Sequence, residues 1–323
     1  MINTRFTTLT GVRHPVVLGG MGGGTSPELV AAVSNAGGLG IQGASGRSPE
    51  GVSRLAAEIR ERTDAPFGLN LLLFSNQHLV DAVLECHPAV LSTAWPAPDQ
   101  PLEPIFERAH TAGCLVLHMV STVGEASVAA AAGADVIVAQ GTEGGGHVGT
   151  MASSVLLPMV TARVEVPVLA AGGFATGAGL VAAIALGADG VLLGTRFLAT
   201  PEAPLHERFK RLLIESDGHD TIATEIPDVA AGVVWPGAYA RVQRNRLIEE
   251  WIGREGELRR RRPQVAARIA AARAAGDLDQ AVLYAGQTAG LIDRLLPAAE
   301  VVTSLVAEAE EVLRSRLQRL IEA

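Results

Sequence analysis

The sequence predicts an α/β protein: a (β/α)8 TIM barrel followed by a mainly helical portion. Over the first 200 residues, eight short apolar runs alternate with helical patterns. The runs lack polar–apolar alternation, which is typical of parallel strands buried on both faces. Their number matches the eight strands of a closed barrel, although an open eight-stranded sheet is the alternative. We therefore expect the barrel over residues 1–200 and the helical portion over residues 201–323.

The predicted strands are short and rich in Val, Leu or Ile. They are Val16–Leu18, Leu39–Gln42, Phe67–Leu72, Ala89–Leu91, Leu115–His118, Val136–Ala139, Val168–Ala170 and Val191–Leu193. Helix signals lie between them, as where Ser26 precedes Pro27, a combination of N-cap and first helical residue. Two units end alike, in Ala132-Gly133-Ala134-Asp135 and Leu186-Gly187-Ala188-Asp189, which indicates a repeated connection from helix to strand.

The chain changes character after residue 200. Strand-like runs nearly vanish, and Ala, Arg, Glu and Leu dominate segments such as Arg241–Trp251 and Glu257–Ala275. The last segment, Val301–Leu320, keeps apolar residues at helical spacing. We therefore expect this final helix to pack back onto the barrel.

Composition and charge exclude several classes of function. The net charge of −8 is the reverse of the basic surplus that nucleic-acid-binding proteins show. The basic run Arg259–Arg262 follows Glu255 and Glu257, so we interpret it as a solvent-exposed helix face. We expect no nucleic-acid partner, and the sequence is compatible with a homodimer.

The two cysteines and the hydropathy pattern predict the cellular compartment of the protein. Cys86 and Cys114 are too few for a disulfide scaffold, and we expect both to be buried or inert thiols. No stretch reaches the roughly 18 uninterrupted apolar residues of a membrane span. The first ten residues are polar and carry no apolar signal segment. We expect a soluble, cytoplasmic protein without membrane partners.

In a (β/α)8 barrel the functional residues lie in the loops after the strands. The first strand is followed by five glycines in six residues, 19–24, which let a flat ligand approach the backbone closely. This places Gly20 and Met21 among the candidate ligand contacts. Asn70, at the end of the third strand, carries an amide that can donate to and accept from a heterocycle edge. A purely structural amide is the alternative for Asn70.

The most informative stretch follows the sixth strand and runs from Gln140 to Gly149. His147 lies there in a glycine-rich loop and has no obvious packing role. A histidine can give or take a proton near neutral pH, so His147 is the candidate catalytic residue. The alternative is a surface histidine in a mobile loop. Gln140 and Glu143 are candidates for orienting the loop or a ligand ring.

The seventh and eighth strands are followed by a paired glycine pattern that predicts a phosphate site. Gly172 and Gly173 follow one strand, and Gly194 and Thr195 follow the other. The loops after strands seven and eight of such barrels recurrently bind phosphate through backbone N–H groups. No sequence pattern for a nucleoside triphosphate or for a metal is present, so we assign no metal ligands.

Together these motifs resemble the nitronate monooxygenase (2-nitropropane dioxygenase) family, which is similar to the FMN-dependent enoyl-ACP reductase of the second type. The matching segments span most of the chain. They are His14-Pro15, Gly19-Gly20-Met21, residues 35–40, residues 68–71, the loop 140–149, the run 166–197 and residues 286–292.

The resemblance implies a barrel that binds FMN at the C-terminal ends of its strands. It implies flavin contacts from Gly20, Met21, Asn70 and Gln140, and it assigns His147 to a place beside the substrate. The phosphate would be held by Gly172, Gly173, Gly194 and Thr195.

The reaction implied is oxidation of alkyl nitronates by FMN and O2 to a carbonyl compound and nitrite. Many members have Ala-Pro-Met where this chain has Gly19-Gly20-Met21, whereas the reductases have Gly-Gly-Met. The alternative is therefore an NAD(P)H-dependent FMN reductase of an enoyl thioester (ACP or CoA) or a quinone. A regulatory flavin-binding barrel without chemistry is a third reading, against which the retained His147 argues.

One further expectation concerns the entrance of the barrel. Trp235, Tyr239 and the stretch Gly286–Leu291 come late in the chain and have mixed polarity. We expect them to cover the barrel mouth and to shield the flavin from water.

Overall fold

The computed structural model of the chain describes residues 2–321, and a closed eight-stranded barrel forms its body. The predicted barrel begins at residue 1, and the predicted helical portion ends at residue 323. Residues 1, 322 and 323 lie outside the described residues. The strands are β1 (Val16–Leu18), β2 (Leu39–Gly43), β3 (Phe67–Leu72), β4 (Val90–Ala94), β5 (Leu115–Val120), β6 (Val136–Gln140), β7 (Gly146–Val148), β8 (Val168–Ala171), β9 (Gly190–Leu193), β10 (Thr221–Thr224) and β11 (Tyr239–Gln243).

The barrel confirms the predicted fold. Its strand order is β1-β2-β3-β4-β5-β6-β8-β9, every pair is parallel, and β1 closes the barrel by pairing with β9. Val17, for example, lies opposite Leu39 on one side and Leu192 on the other. Buried Val, Leu and Ile side chains fill both the interior and the layer under the helices, as a sheet covered on both faces requires.

The strand β4 runs further than the sequence predicted. The expected run ended at Leu91, but pairing continues through Ser92, Thr93 and Ala94. Successive side chains of a strand point to opposite faces, so Ser92 and Thr93 face opposite sides of the sheet and bond different partners. Thr93 Oγ1 lies 2.8 Å from Nδ1 of the buried His118, and Ser92 Oγ accepts a hydrogen bond from Asn70.

Helices follow the barrel strands and are capped largely where the sequence indicated. Ser26 accepts a hydrogen bond from the N–H of Leu29, with Pro27 as the first helical residue. The α-helices are Arg5–Thr10, Pro27–Asn35, Pro49–Arg60, Leu73–Asn76, Val80–Leu84, Glu103–Thr111, Val123–Ala131, Ser153–Thr161, Gly177–Ala185, Thr195–Leu198, Glu207–Glu215, Ile226–Ala231, Arg246–Trp251, Glu255–Arg260, Arg262–Ala275, Ala298–Glu311 and Gln318–Ile321. Short 3-10 helices cover Gln77–Leu79 and Gln287–Leu291, and a π-helical turn covers Val312–Leu317.

The repeated Gly-Ala-Asp connection has a structural role. Gly133 and Gly187 adopt φ angles of 98° and 97°, a left-handed conformation that favours glycine after a helix. The aspartate two residues later accepts a backbone N–H from the neighbouring strand in both units. Asp135 accepts from Val116, and Asp189 accepts from Val168. The repeat therefore links adjacent barrel strands near their starts.

A second, three-stranded antiparallel sheet lies outside the barrel. Its order is β10-β11-β7, so two strands from beyond residue 200 pair with the segment that carries His147. The sequence reading missed β10 and β11 because they are short and lie among helical patterns. It also placed His147 in a loop, which is wrong, since His147 lies in β7.

The long helix Ala298–Glu311 lies against the helix Gly177–Ala185. A Cβ atom on Gly177 would lie 2.5 Å from the carbonyl oxygen of Leu305, so glycine is what permits this close approach. Glu308 accepts hydrogen bonds from the N–H groups of Gly177 and Ala178 at the start of that helix. Across residues 2–321, no helix combines the length and apolar character needed to span a membrane.

Both cysteines are buried in the helical layer, as predicted. Cys86 Sγ donates to the carbonyl of Ala82, and Cys114 Sγ donates to that of Pro88. Burial raises the pKa of both thiols, which keeps them protonated and unreactive.

Candidate active site

A cavity of about 390 Å³ opens at the C-terminal ends of the barrel strands. This volume falls in the range of roughly 300–1,000 Å³ that is usual for sites of small molecules and cofactors. The residues that line it include every site residue predicted from the sequence, namely Gly20, Met21, Asn70, Gln140, His147, Gly172, Gly173, Gly194 and Thr195. The fold therefore brings together residues that are up to 175 positions apart in the sequence, from Gly20 to Thr195.

The glycines after β1 let the loop that they form approach Asn70 of β3 closely. A Cβ atom on Gly20 would collide with the side chain of Asn70. The amide nitrogen Nδ2 of Asn70 donates to Ser92 Oγ at 3.0 Å, which fixes the orientation of the amide. Within the described residues, the side chain of Asn70 makes hydrogen bonds only through Nδ2, so its Oδ1 is available to a ligand.

His147 is held in place by its strand and by an acidic partner. In β7 it lies opposite Ala240 of β11, so both its backbone and its ring are fixed by residues from the later part of the chain. Its Nε2 lies 2.8 Å from Oδ1 of Asp228, and both side chains are about one-tenth exposed. The carboxylate favours the tautomer with the proton on Nε2, which leaves Nδ1 as the ring nitrogen available to a ligand.

Two aromatic rings surround the imidazole of His147. Trp235 stacks on it with ring centroids 3.3 Å apart and an angle of 10° between the planes. Tyr284 lies at 5.7 Å in a tilted arrangement. Burial, reinforced by the negative charge of Asp228, raises the pKa of the Tyr284 hydroxyl, so this phenol stays protonated.

Charged side chains are rare in the cavity lining. Among the described residues that line it, Arg273 is the only Lys, Arg, Asp or Glu. Arg273 donates to the carbonyl of Gly23, in the glycine-rich loop after β1. An anionic group in the cavity therefore meets no carboxylate at its wall.

The ends of β8 and β9 offer backbone donors to an anion. Gly172 and Gly173 adopt φ angles of 79° and 86°, which L-amino acids with side chains rarely adopt. Within the described residues, the backbone N–H groups of Gly172, Gly173, Gly194 and Thr195 make no hydrogen bonds. Such unpaired donors at the ends of neighbouring strands are what a phosphate group requires.

The segment between Gln140 and Ser153 is fixed by polar contacts. Glu143 accepts hydrogen bonds from the N–H and the hydroxyl of Ser153, at the start of the helix Ser153–Thr161. Arg241 of β11 donates from Nε to the carbonyl of Thr142 at 2.8 Å. Gln140 is 8% exposed, and its Oε1 accepts no hydrogen bond from the described residues. Glu143 therefore orients this segment, while Gln140 Oε1 is an unpaired acceptor beside the cavity.

The residues expected over the barrel mouth divide into two groups. Trp235 and Thr288 line the cavity, and Thr195 Oγ1 accepts a hydrogen bond from the N–H of Gly286, which ties that segment to the end of β9. Tyr239 is 43% exposed and does not line the cavity. It lies opposite Val148, one position out of step with His147, so its side chain points to the other face of the sheet.

Sequence reasoning missed Asp228, Trp95 and Tyr284. Asp228 follows Ile226 and Pro227, and an acidic residue after a proline is a common helix start, so nothing in the sequence signals a functional role. Trp95 and Tyr284 lie in segments without a motif. Local sequence patterns could not have found these residues, because only the folded chain brings Trp95 and Tyr284 to the cavity and Asp228 to His147.

These features fit a flat ligand with an anionic end. The unpaired N–H groups accommodate the anion, and the open Oδ1 of Asn70 and Oε1 of Gln140 can accept hydrogen bonds from the edge of a heterocycle. FMN has both parts, so the residues present are compatible with it.

The chain matches the sequence model of the Nitronate monooxygenase family over residues 3–83 and 74–308. A "Probable nitronate monooxygenase" of Staphylococcus aureus (strain N315) is 32% identical over 298 residues, covering 79% of this chain and 82% of the relative.

Two further similarities are to proteins with other names. A (3aS,4S,5R,7aS)-5-hydroxy-7a-methyl-1-oxo-octahydro-1H-indene-4-carboxyl-CoA dehydrogenase of Rhodococcus jostii (strain RHA1) is 38% identical over 229 residues, or 70% of this chain. The match spans 64% of the length of that relative. The structure of FabK from Thermotoga maritima superposes with a TM-score of 0.89 at 32% identity, covering 99% of this chain and 100% of FabK.

Proposed function

We propose that this chain, which belongs to the nitronate monooxygenase family and is an oxidoreductase, oxidises alkyl nitronates with O2 and bound FMN to a carbonyl compound and nitrite. The observation that carries the proposal is His147, which is held by Asp228 and lies at the wall of a cavity that no carboxylate of the described residues lines. A nitronate is an anion, and this cavity offers it the ring of His147, while the carboxylate of Asp228 bonds the other ring nitrogen, Nε2, and does not line the cavity.

The cofactor would lie along the ends of the barrel strands. Its phosphate would be held by the backbone N–H groups of residues 172, 173, 194 and 195. Gly20 and Met21 would lie against the ring system, with the amides of Asn70 and Gln140 at its polar edge. Bound FMN would supply the electron transfer between the substrate and O2.

His147 would position the substrate through the ring nitrogen that faces away from Asp228. With a proton on Nδ1, it donates a hydrogen bond to a nitronate oxygen. Without that proton, Nδ1 is a base that can take a proton from the carbon of a neutral nitroalkane. Asp228 keeps the ring in one orientation, and Trp235 covers one face of it.

The direct test is turnover in air. The purified protein is saturated with FMN and mixed with propionate 3-nitronate and, separately, with ethylnitronate, while nitrite formation and O2 consumption are measured. We expect nitrite from at least one of these substrates. An FMN-loaded protein that is inert toward both would contradict the proposal.

The second candidate is an NAD(P)H-dependent FMN reductase of an enoyl thioester or a quinone. It is favoured by the 38% identity to a dehydrogenase named for a carboxyl-CoA compound and by the close superposition with FabK. Anaerobic mixing of the yellow protein with NADH or NADPH separates the two candidates. Rapid bleaching of the flavin supports the reductase, and its absence supports the oxygenase.

A further inference from the structure

We infer that an aromatic wall beside His147 is a binding site for a bulky, apolar ring on the non-reacting part of the substrate. The aromatic wall consists of Trp95, Trp235, Met119 and Leu72, which line the cavity, with Phe74 packed behind Trp235. The inference extends the proposed function, because it names the class of group that accompanies the reacting atoms.

The rings of the wall contact one another and form a continuous apolar surface at the cavity. Trp95 and Trp235 meet edge to face, with centroids 6.1 Å apart and an interplanar angle of 85°. Phe74 supports Trp235 from behind at 4.9 Å. The two indoles thus form a corner whose sides are roughly perpendicular. One face of Trp235 is taken up by the imidazole of His147, and both indoles contribute apolar surface to the cavity lining.

The backbone of Trp95 is strained in a way that serves this corner. Its φ angle is +52°, in the left-handed region that a bulky residue seldom adopts. Trp95 directly follows β4, and its carbonyl accepts a hydrogen bond from the N–H of Phe74. Uncommon backbone conformations cluster at ligand sites, where the surrounding structure imposes them. Trp95 is 9% exposed and lines the cavity.

The apolar side chains of the aromatic wall favour binding of an uncharged group. Leu72, Ala94 and Met119 continue the apolar surface between the indoles and the barrel. The charged Arg273 is bonded to Gly23 in the loop after β1, in the other part of the lining. A short nitroalkyl chain would leave most of this apolar surface in water, whereas an alicyclic or aromatic ring would bury it.

Trp235 lies in a loop that contains two glycines in the left-handed conformation. The loop between the helix Ile226–Ala231 and β11 has left-handed glycines at both ends, Gly232 with φ 72° and Gly237 with φ 75°. Its neighbour Val234 is 89% exposed and makes no apolar contact with the core clusters. Trp235 itself stacks on His147, which demonstrates that the face of the imidazole accommodates a flat apolar group.

The test measures binding of an unreactive ring compound by the FMN-saturated protein. Isothermal titration calorimetry compares trans-1-decalone, a bicyclic ketone, with acetone, which presents the same carbonyl without the rings. We expect decalone to bind at least about tenfold more tightly than acetone, a difference of about 1.4 kcal/mol. Equal binding of the two ketones would overturn the inference.

Two variants and a control locate the binding. Trp235→Ala removes one side of the corner, and Trp95→Asn removes the other while retaining a residue that tolerates a positive φ. We expect each to weaken decalone binding about tenfold or more, whereas Val234→Ala, in the same loop, leaves it within twofold. Far-UV circular dichroism and the thermal midpoint establish that each variant is folded. Decalone affinity that both tryptophan variants retain would also overturn the inference.

This experiment can fail independently of the proposed function. A protein that turns over no nitronate but binds decalone through Trp95 and Trp235 would contradict the nitronate reaction and support the aromatic wall. Nitrite formation without preference for decalone would do the reverse.

Discussion

Nε2 of His147 lies 2.8 Å from Oδ1 of Asp228, a residue 81 positions later in the chain. The pair joins the barrel segment after β6 to the helix Ile226–Ala231, and the strand pairing of β7 with β11 holds the two parts in register. One side chain faces the cavity and the other orients it. We therefore regard Asp228 as a positioning residue for His147.

Replacing Asp228 should impair turnover more than cofactor binding. Asp228→Asn keeps the size of the side chain but removes the charge that selects the tautomer of His147. Because an oriented acid–base group contributes roughly 10²–10⁴-fold to a rate, we expect kcat/KM for nitronates to fall by about 10–100-fold. The Kd for FMN, measured by fluorescence titration, should stay unchanged. Glu225→Gln, an exposed carboxylate three residues earlier, is the matched control. Equal kcat/KM in Asp228→Asn and the unmodified protein would argue against a positioning role.

Removing the imidazole should have the larger effect. His147→Ala deletes the group that would hold the nitronate oxygens, so we expect nitrite formation to drop by about 10²–10⁴-fold. Binding of FMN should persist, because the backbone N–H groups of the predicted phosphate site are untouched. His219→Ala, an exposed histidine outside the cavity lining, should keep full activity. Full turnover by His147→Ala would exclude the assigned role.

A methyl group on Gly194 should weaken cofactor binding without unfolding the protein. A Cβ atom there would meet only Met21 Sδ, at 3.4 Å, and Gly194 has an ordinary negative φ of −111°. Gly194→Ala should therefore fold normally, yet place a methyl group where the backbone must approach a phosphate. We expect the Kd for FMN to rise about tenfold, or about 1.4 kcal/mol. Gly256→Ala, whose Cβ would meet nothing within 4 Å, should leave the Kd unchanged. An unaltered Kd in Gly194→Ala would place the phosphate elsewhere.

The buried His118 should make stability depend on pH. Burial lowers the pKa of His118 from 6.5 to about 4, so the folded protein holds a neutral ring. As pH falls below 6.5, the unfolded chain takes up a proton that the folded chain does not, and the stabilisation present above pH 6.5 is lost progressively down to pH 4. The shift corresponds to a loss of at most about 3 kcal/mol from this group.

Urea unfolding at pH 7 and pH 4 measures this loss. His118→Gln, which can still bond Thr93, should show a smaller decrease in the free energy of unfolding between the two pH values. His78→Gln, at an exposed histidine, should behave like the unmodified protein. If His118→Gln and the unmodified protein lost the same free energy, another group would have to carry the pH dependence.

The sequence by itself determined the barrel and the residues at its strand ends. Short runs of Val, Leu and Ile, separated by capped helices, are sufficient to predict the barrel, because strands buried on both faces have this local pattern. The loops after them could be located for the same reason, and Gly20, Asn70, His147 and the glycines of the predicted phosphate site all line one cavity.

Only the tertiary structure decided how His147 is held and what surrounds it. The strands β10 and β11 have little sequence signal, since Thr221–Thr224 and Tyr239–Gln243 are short and stabilised by pairing with each other and with β7. Asp228 has the appearance of a helix start, and Trp95 reaches the cavity through an uncommon backbone angle. Contacts between residues far apart in the chain depend on long-range packing, and no local pattern encodes them.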